Sequence, residues 1–321
     1  MIIAILLILV GLTILIVGGE IFVKGSASIA KRLNVSPIVI GLTVVAFGTS
    51  APELIVNILS ATRGATDIAM GNVLGSNIVN ILLGLGIASL ICPLKVKTGT
   101  TWKEIPFSIL ATLILFLLAN DVMFGNNGKN ILTLADGLIL ISFFIIFLYY
   151  TYGLARVEGE KEVKPEKFLW STSIIFILGG IISLILGGKL VVDNGIILAR
   201  LAGLSELLIG LTITAIGTSL PELVTSAIAA YRRHYELAVG NIVGSNIFNV
   251  LWILGLTPVI SPIEIKTAVN IDIVIVVATT CLLFAYMFIG RRQNRYILNR
   301  WQGVTFLALY AAFTTYVFIR G

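Results

Sequence analysis

The sequence predicts an all-α integral membrane protein whose ten transmembrane helices form two inverted five-helix repeats. Three observations support this fold class. Of the 321 residues, 58% are hydrophobic and only 12% are charged, a composition typical of membrane proteins. Ten apolar runs are long enough to cross about 30 Å of hydrocarbon. Two blocks of polar, glycine and proline residues occur in both halves of the chain at matching positions.

The apolar runs fall into two groups of five, separated by a charged stretch from Arg156 to Lys167. The first group covers residues 2–23, 37–61, 71–91, 105–119 and 131–152. The second group covers residues 169–193, 207–230, 240–260, 268–289 and 302–319. We therefore expect a first five-helix repeat at 1–153, a short cytoplasmic linker at 154–168 and a second five-helix repeat at 169–321.

Two blocks of the halves align without a gap when the chain is shifted by 169 residues, the separation of Glu53 and Glu222. The first shared block carries Gly-Thr-Ser-x-Pro-Glu, and the second carries Gly-Asn-x-x-Gly-Ser-Asn-Ile-x-Asn. Chance similarity between apolar helices would match leucine with isoleucine. Here the polar, glycine and proline positions match, which indicates an internal duplication.

The basic residues indicate which side of the membrane each loop occupies. With the N-terminus outside, the predicted inner loops hold sixteen lysines and arginines, and the outer loops with the C-terminus hold five. This asymmetry favours a multi-pass protein of the cell membrane with both termini outside. Because five is an odd number of helices, the two copies of the repeat must begin on opposite sides of the membrane. The pattern therefore predicts the inverted topology of a transporter.

The first block places a glutamate inside an apolar run of each half, Glu53 and Glu222. A carboxylate at such a depth costs roughly 2.5–3.5 kcal/mol on insertion scales. Thr49 and Thr218 precede the glutamates by four residues, so each threonine shares a helix face with its glutamate. This arrangement predicts oxygen-lined faces in the middle of the membrane.

A proline directly precedes each glutamate, Pro52 in one half and Pro221 in the other. A proline inside a helix leaves the carbonyl four residues earlier without its partner. We expect the helices to break here and nearby carbonyls, such as those of Ala46 and Ala215, to turn into a cavity. The alternative is a proline kink with a glutamate hydrogen-bonded inside the bundle. The occurrence of the proline and glutamate in both halves favours a functional site over this alternative.

The second block adds hydroxyl and amide groups with the same spacing. Ser76 and Asn80 are four residues apart, as are Ser245 and Asn249, so each pair shares a helix face. The glycines of the block are also four residues apart, a spacing typical of closely packed membrane helices. The alternative is that the block only packs helices and bonds amides between them. Packing explains the glycines but not the serines and asparagines.

The candidate ligands in both blocks are all oxygen atoms. Hard oxygen donors suit Ca²⁺, which takes about 6–8 of them, and by the same argument Na⁺. No histidine or cysteine lies near the blocks, which argues against zinc, copper or iron. The sequence has no basic face with interleaved aromatic residues, which argues against nucleic-acid binding.

At these residues the sequence resembles the sodium/calcium exchanger family, within the superfamily of calcium/cation antiporters. The resemblance covers the whole chain and both blocks in both halves. It implies two central carboxylates, Glu53 and Glu222, and further ion ligands at the following positions: Thr49, Thr218, Ser50, Ser219, Ser76, Ser245, Asn80 and the carbonyls of Ala46 and Ala215. It also implies that the first and sixth helices slide over the other eight.

One position departs from the family pattern. Many relatives carry an aspartate where this chain has Asn249, which we keep among the candidate ligands. The central site then holds two formal charges instead of three. In the potassium-dependent branch that aspartate is tied to K⁺ transport, so this chain is expected to exchange without K⁺.

The sequence thus predicts a secondary antiporter that exchanges Na⁺ for Ca²⁺ by alternating access. Its expected partners are Ca²⁺, Na⁺ and the lipid bilayer, with no cofactor, no protein partner and no nucleic acid. A proton/Ca²⁺ antiporter remains open, since buried glutamates can carry protons. A cation channel is a different class that saturable exchange without conductance would exclude. An intramembrane enzyme is disfavoured because no nucleophile–base pair is present.

Overall fold

The computed structural model describes residues 1–123, 129–155, 167–201, 215–289 and 296–320. Within these ranges, eight helices are long and apolar enough to cross a membrane, and nine if one bent pair counts as a single span. Part of the predicted run 207–230 lies outside the described residues, as does most of the predicted linker at 154–168.

Helices dominate both halves of the chain. The first half contains α1 (Ile2–Leu33), α2 (Pro37–Thr49), α3 (Ala51–Thr62), α4 (Thr66–Ile91), α5 (Thr100–Leu118) and α6 (Leu134–Ala155). The second half contains α7 (Trp170–Leu201), α8 (Ala215–Thr218), α9 (Leu220–Tyr231), α10 (Tyr235–Ile260), α11 (Thr267–Ile289) and α12 (Arg300–Arg320).

Two short antiparallel sheets join the halves. Strand β1 (Leu94–Val96) pairs with β4 (Tyr296–Leu298), and β2 (Ile131–Leu132) pairs with β3 (Ile263–Glu264). Each pairing therefore links a segment of one half to a segment of the other. These pairs fix the ends of the long helices relative to one another.

The chain breaks where the prolines predict. Helices α2 and α3 meet at Ser50 and bend by 47°, with Pro52 in the first turn of α3. Ser219 has nearly the same backbone angles as Ser50, and Pro221 lies in the first turn of α9. A proline is well tolerated in a first turn, where its missing N–H has no helical partner in any case. In each half a new helix therefore begins two residues before a glutamate.

Wide, π-helical turns occur inside the helices that carry the two blocks. They cover Gly41–Val45 in α2, Val79–Leu85 in α4 and Asn249–Ile253 in α10. Such turns are rare and are frequent near functional sites. In α4 and α10 they begin at or beside Asn80 and Asn249, the last positions of the second block.

The two 32-residue helices α1 and α7 pack against each other and run antiparallel. Gly11 lies beside Gly187, whereas Gly18 lies beside Ser183 and Gly25 beside Phe176. A Cβ at Gly11 would approach the carbonyl oxygen of Gly187 to 2.9 Å. Glycine is therefore required for this close contact. Large apolar side chains of both helices are exposed, as expected of helices that face lipid.

Candidate functional site

Glu53 and Glu222 lie in the first turns of α3 and α9, and both are fully buried. One carboxylate oxygen of Glu53, Oε1, accepts hydrogen bonds from the hydroxyls of Ser76 at 3.3 Å and Ser219 at 3.2 Å. Ser76 belongs to the same half as Glu53, and Ser219 belongs to the opposite half. The carboxylate is therefore held by hydroxyls from both halves of the chain.

Glu222 has the equivalent partners. Its Oε1 accepts hydrogen bonds from Ser245 of its own half at 3.4 Å and from Ser50 of the opposite half at 2.8 Å. These contacts correspond to those of Glu53 when the chain is shifted by 169 residues. The four serines and two glutamates, which are scattered over the sequence, therefore form one buried polar cluster.

Four oxygen atoms at the candidate site are buried and have no hydrogen-bond partner within the described residues. They are Oε2 of Glu53, Oε2 of Glu222, Oδ1 of Asn80 and Oδ1 of Asn249. A buried acceptor without a partner costs about 1–3 kcal/mol, and more when it is charged. Folded proteins leave few such groups, and each calls for an explanation such as a bound ion. The four atoms offer acceptors that a cation would satisfy.

The threonines of the first block contact the opposite half. The hydroxyl of Thr49 lies 3.1 Å from Oδ1 of Asn241 and within reach of the carbonyls of Val45 and Ala46. The hydroxyl of Thr218 lies 3.3 Å from Oδ1 of Asn72. A hydroxyl has one hydrogen to donate and two lone pairs. Each threonine can therefore bond an amide and still offer a lone pair.

The carbonyl of Ala46 has different surroundings from those we expected. The carbonyl of Ala46 keeps its helical hydrogen bond from the N–H of Ser50, at 3.0 Å, so the break does not free it. Ala215 is the first residue of α8 and directly follows a stretch outside the described residues. The carbonyl that Pro52 leaves without a helical partner is that of Gly48, four residues earlier.

Two residues of the second block, Asn72 and Asn241, have contacts that the sequence analysis did not assign. The amide nitrogen of Asn72 donates to the backbone carbonyl of Glu53 at 3.3 Å and to Oδ1 of Asn57 at 2.8 Å. The amide nitrogen of Asn241 donates to the carbonyl of Glu222 at 3.3 Å and to Ser226 at 2.8 Å. Their matched positions in the two blocks were the only sequence signal.

The family model for the sodium/calcium exchanger protein matches residues 3–153 and 172–319 of the chain. The chain belongs to the sodium/calcium exchanger family. This membership confirms the resemblance seen in the sequence. It makes the chain a multi-pass membrane protein of a transporter family.

Individual relatives of the exchanger family cover nearly the whole chain. CaxA of Alkalimonas amylolytica is 38% identical, with 99% of each chain covered. The sodium/calcium exchanger MaX1 of Methanosarcina acetivorans is 29% identical, with 98% of each chain covered. Among solved structures, the sodium-calcium exchanger NCX_Mj soaked with 10 mM Na⁺ and zero Ca²⁺ superposes with a TM-score of 0.81 at 32% identity, covering 97% of each chain.

Proposed function

We propose that the protein is a secondary antiporter that exchanges Na⁺ for Ca²⁺ by alternating access, with the ions bound between α3 and α9. The observation that carries this proposal is the set of four buried oxygens that have no hydrogen-bond partner among the described residues, two from glutamates and two from asparagines. Family membership and the likeness to NCX_Mj, itself a sodium-calcium exchanger, support it.

The proposed ligands are oxygen atoms from both halves of the chain. They are Glu53, Glu222, Thr49, Thr218, Ser50, Ser219, Ser76, Ser245, Asn80 and Asn249, with the carbonyls of Ala46 and Ala215. Such a set suits Ca²⁺, which accepts about 6–8 oxygens in flexible geometry. The hydroxyls of Ser50 and Ser219 donate to the carboxylates. On ion binding they would turn their lone pairs inward.

The charge of the site explains why transport would be coupled. An empty site would carry two bare carboxylates through a dry barrier, which is costly. One Ca²⁺ or two Na⁺ cancels the formal charge of Glu53 and Glu222. Only an occupied site can then switch sides readily, which is the condition for exchange.

We further propose that residues 1–153 and 169–321 are inverted repeats joined by a cytoplasmic linker at 154–168, in the cell membrane with both termini outside. The antiparallel packing of α1 and α7 supports opposite orientations of the two halves. The glutamate–serine hydrogen bonds support the repeat itself, because they recur at a shift of 169 residues.

Ca²⁺ uptake into proteoliposomes under imposed gradients tests the function. We expect an outward Na⁺ gradient to drive Ca²⁺ uptake without K⁺. Asn80 and Asn249 supply no third carboxylate, the group that is tied to K⁺ transport in the potassium-dependent branch of the family. Uptake driven only by a proton gradient would replace Na⁺ with H⁺ as the coupling ion. A requirement for K⁺ beside Na⁺ would contradict the role assigned to the asparagines. Ca²⁺ conductance without any coupled gradient would indicate a channel.

A further inference from the structure

We infer that Asn77 and Asn246 form an amide clamp, a pair of positioning residues that turns the carbonyl oxygens of Asn80 and Asn249 toward the transported cations. The two residues lie in the second block, in α4 and α10, and sequence analysis gave them no role. The inference deepens the proposed function and rests on it, since it concerns how that cation site is built.

The clamp residues first hold each other across the contact between the halves. The amide nitrogen of Asn77 donates to the backbone carbonyl of Asn246 at 3.3 Å, and the amide nitrogen of Asn246 donates to the backbone carbonyl of Asn77 at 3.2 Å. A backbone carbonyl can only accept a hydrogen bond. Each clamp residue must therefore point its NH₂ group at the other chain segment, which fixes the orientation of its amide.

The orientation of the clamp fixes that of the site amides. With the NH₂ groups committed, Oδ1 of Asn77 faces Asn249 and Oδ1 of Asn246 faces Asn80. Asn249 donates to Asn77 at 3.0 Å, and Asn80 donates to Asn246 at 3.0 Å. Because the clamp oxygens only accept, the site amides must offer their nitrogens to them.

The remaining atom of each site amide is its oxygen. Oδ1 of Asn80 and Oδ1 of Asn249 are buried and have no partner among the described residues. A reversed amide would place oxygen against oxygen at the clamp and would turn N–H donors toward a cation. All four asparagines are at most 2% exposed, so solvent has little access to stabilise the reversed arrangement. The clamp therefore makes two neutral residues act as cation ligands.

The pairing runs between the halves and not along one helix. Asn77 holds Asn249 of the opposite half, although Asn80 is only three residues away in its own helix. Asn246 likewise holds Asn80 and not Asn249. This crossed pattern predicts which residues are coupled in cation binding, and which are not.

A double-mutant cycle on Asn77 and Asn249 tests the clamp. The readout is the Ca²⁺ concentration that raises the melting temperature of the purified protein, measured at low Na⁺. We expect Asn77→Leu and Asn249→Ala each to weaken Ca²⁺ binding about tenfold, the loss of one well-oriented ligand. The double variant should also be weakened about tenfold, not about a hundredfold, because the two changes remove the same ligand.

The matched control combines Asn77→Leu with Asn80→Ala. Asn80 donates its hydrogen bond to Asn246 and not to Asn77, so the two changes remove different ligands. Here the two effects should multiply to about a hundredfold. If Asn77→Leu does not fold, the corresponding cycle of Asn246→Leu with Asn80→Ala replaces it, with Asn249→Ala as its control.

A loss of Ca²⁺ affinity of about a hundredfold in the double variant of Asn77→Leu with Asn249→Ala would overturn the clamp. So would a variant Asn77→Leu that melts at a lower temperature but keeps wild-type Ca²⁺ affinity, since that marks a purely structural role. A wild-type protein whose melting temperature does not respond to Ca²⁺ would instead contradict the proposed cation site itself, and the clamp with it.

Discussion

Hydroxyl groups hold each buried carboxylate in place. Glu53 and Glu222 each accept one hydrogen bond from a serine of their own half and one from a serine of the opposite half. The hydroxyls bond only Oε1 of each carboxylate and leave Oε2 without a partner in the described part of the chain. The hydroxyls thus fix the orientation of each carboxylate, with Oε2 as the oxygen left to accept a further partner.

The amide at position 249 leads to a prediction about pH. An aspartate there can donate to Oδ1 of Asn77 only while it is protonated, because that oxygen accepts. Once ionised, it faces an acceptor and adds a third negative charge to a buried cluster. We therefore expect the melting temperature of Asn249→Asp without Ca²⁺ to fall as pH rises from about 5 to 9, relative to wild type. A difference from wild type that stays constant over this range would contradict the prediction.

Spacing within a helix is the part of the candidate site that sequence can predict. It predicts that Ser76 shares a face with Asn80. It also predicts that Thr49 shares a face with Glu53, which is wrong, because the break at Ser50 places these two residues in different helices. It does not predict that Ser50 bonds Glu222, because that contact joins residues 172 positions apart. The matched blocks indicate the hydroxyls of Ser50 and Ser219 as oxygen donors, and the family resemblance implies that they are ligands. The partners of Asn72 and Asn77 lie beyond sequence reasoning for the same reason.

At the scale of elements, hydropathy predicts the segments that cross the membrane better than it predicts where helices end. The run at 2–23 was predicted, but α1 continues to Leu33. Its extension carries polar residues such as Ser28, whose hydroxyl lies 2.9 Å from that of Ser173 in α7. Packing against α7 maintains the helix where the apolar pattern stops. The π-helical turns have no residue signature and could not be predicted.

The contact between α1 and α7 leads to a prediction with a matched control. A Cβ at Gly187 would lie 2.9 Å from both Gly11 O and Leu15 N, whereas a Cβ at Gly188 would meet no atom of the described residues closer than 4.0 Å. Both changes to alanine gain the same helix propensity, about 1 kcal/mol. We expect Gly187→Ala to destabilise the protein relative to Gly188→Ala by about 1–3 kcal/mol. Thermal unfolding of the two variants gives the comparison, and equal melting temperatures would contradict the close packing.

At the scale of the whole molecule, two corresponding ion pairs have different surroundings. Lys97 pairs with Glu236, and Lys266 pairs with Asp67; both members differ by 169 residues. The side chains of the first pair are 26% and 2% exposed, and those of the second are 69% and 54% exposed. The hydrogen bond to Asp67 raises the pKa of Lys266 above its ordinary value. The two ion pairs therefore differ in burial although their residues correspond.

The difference between the ion pairs predicts unequal effects of removing each lysine. Glu236 also accepts hydrogen bonds from Ser36 and from the N–H of Ile38. Lys97→Met leaves this buried carboxylate without its cation, which we expect to cost about 2 kcal/mol of stability. Lys266→Met breaks a pair open to solvent and should change the melting temperature little. Equal losses of stability in the two variants would contradict the claim that burial makes the Lys97–Glu236 pair the more important one.

The central claim is that Glu53 and Glu222 together bind the transported Ca²⁺. Glutamine keeps the shape of each side chain but removes its charge, so either substitution halves the formal charge of the site. Glu104 provides a matched control, because it is equally a buried glutamate but accepts its hydrogen bond from Tyr150 in α6. A glutamine at position 104 can still accept that bond.

The most direct test is Na⁺-driven Ca²⁺ uptake into proteoliposomes by Glu53→Gln, Glu222→Gln and Glu104→Gln beside the wild type. We expect no uptake above empty liposomes for the first two variants, although both purify as folded protein. We expect clear uptake for Glu104→Gln. Near wild-type uptake by either Glu53→Gln or Glu222→Gln would contradict the account.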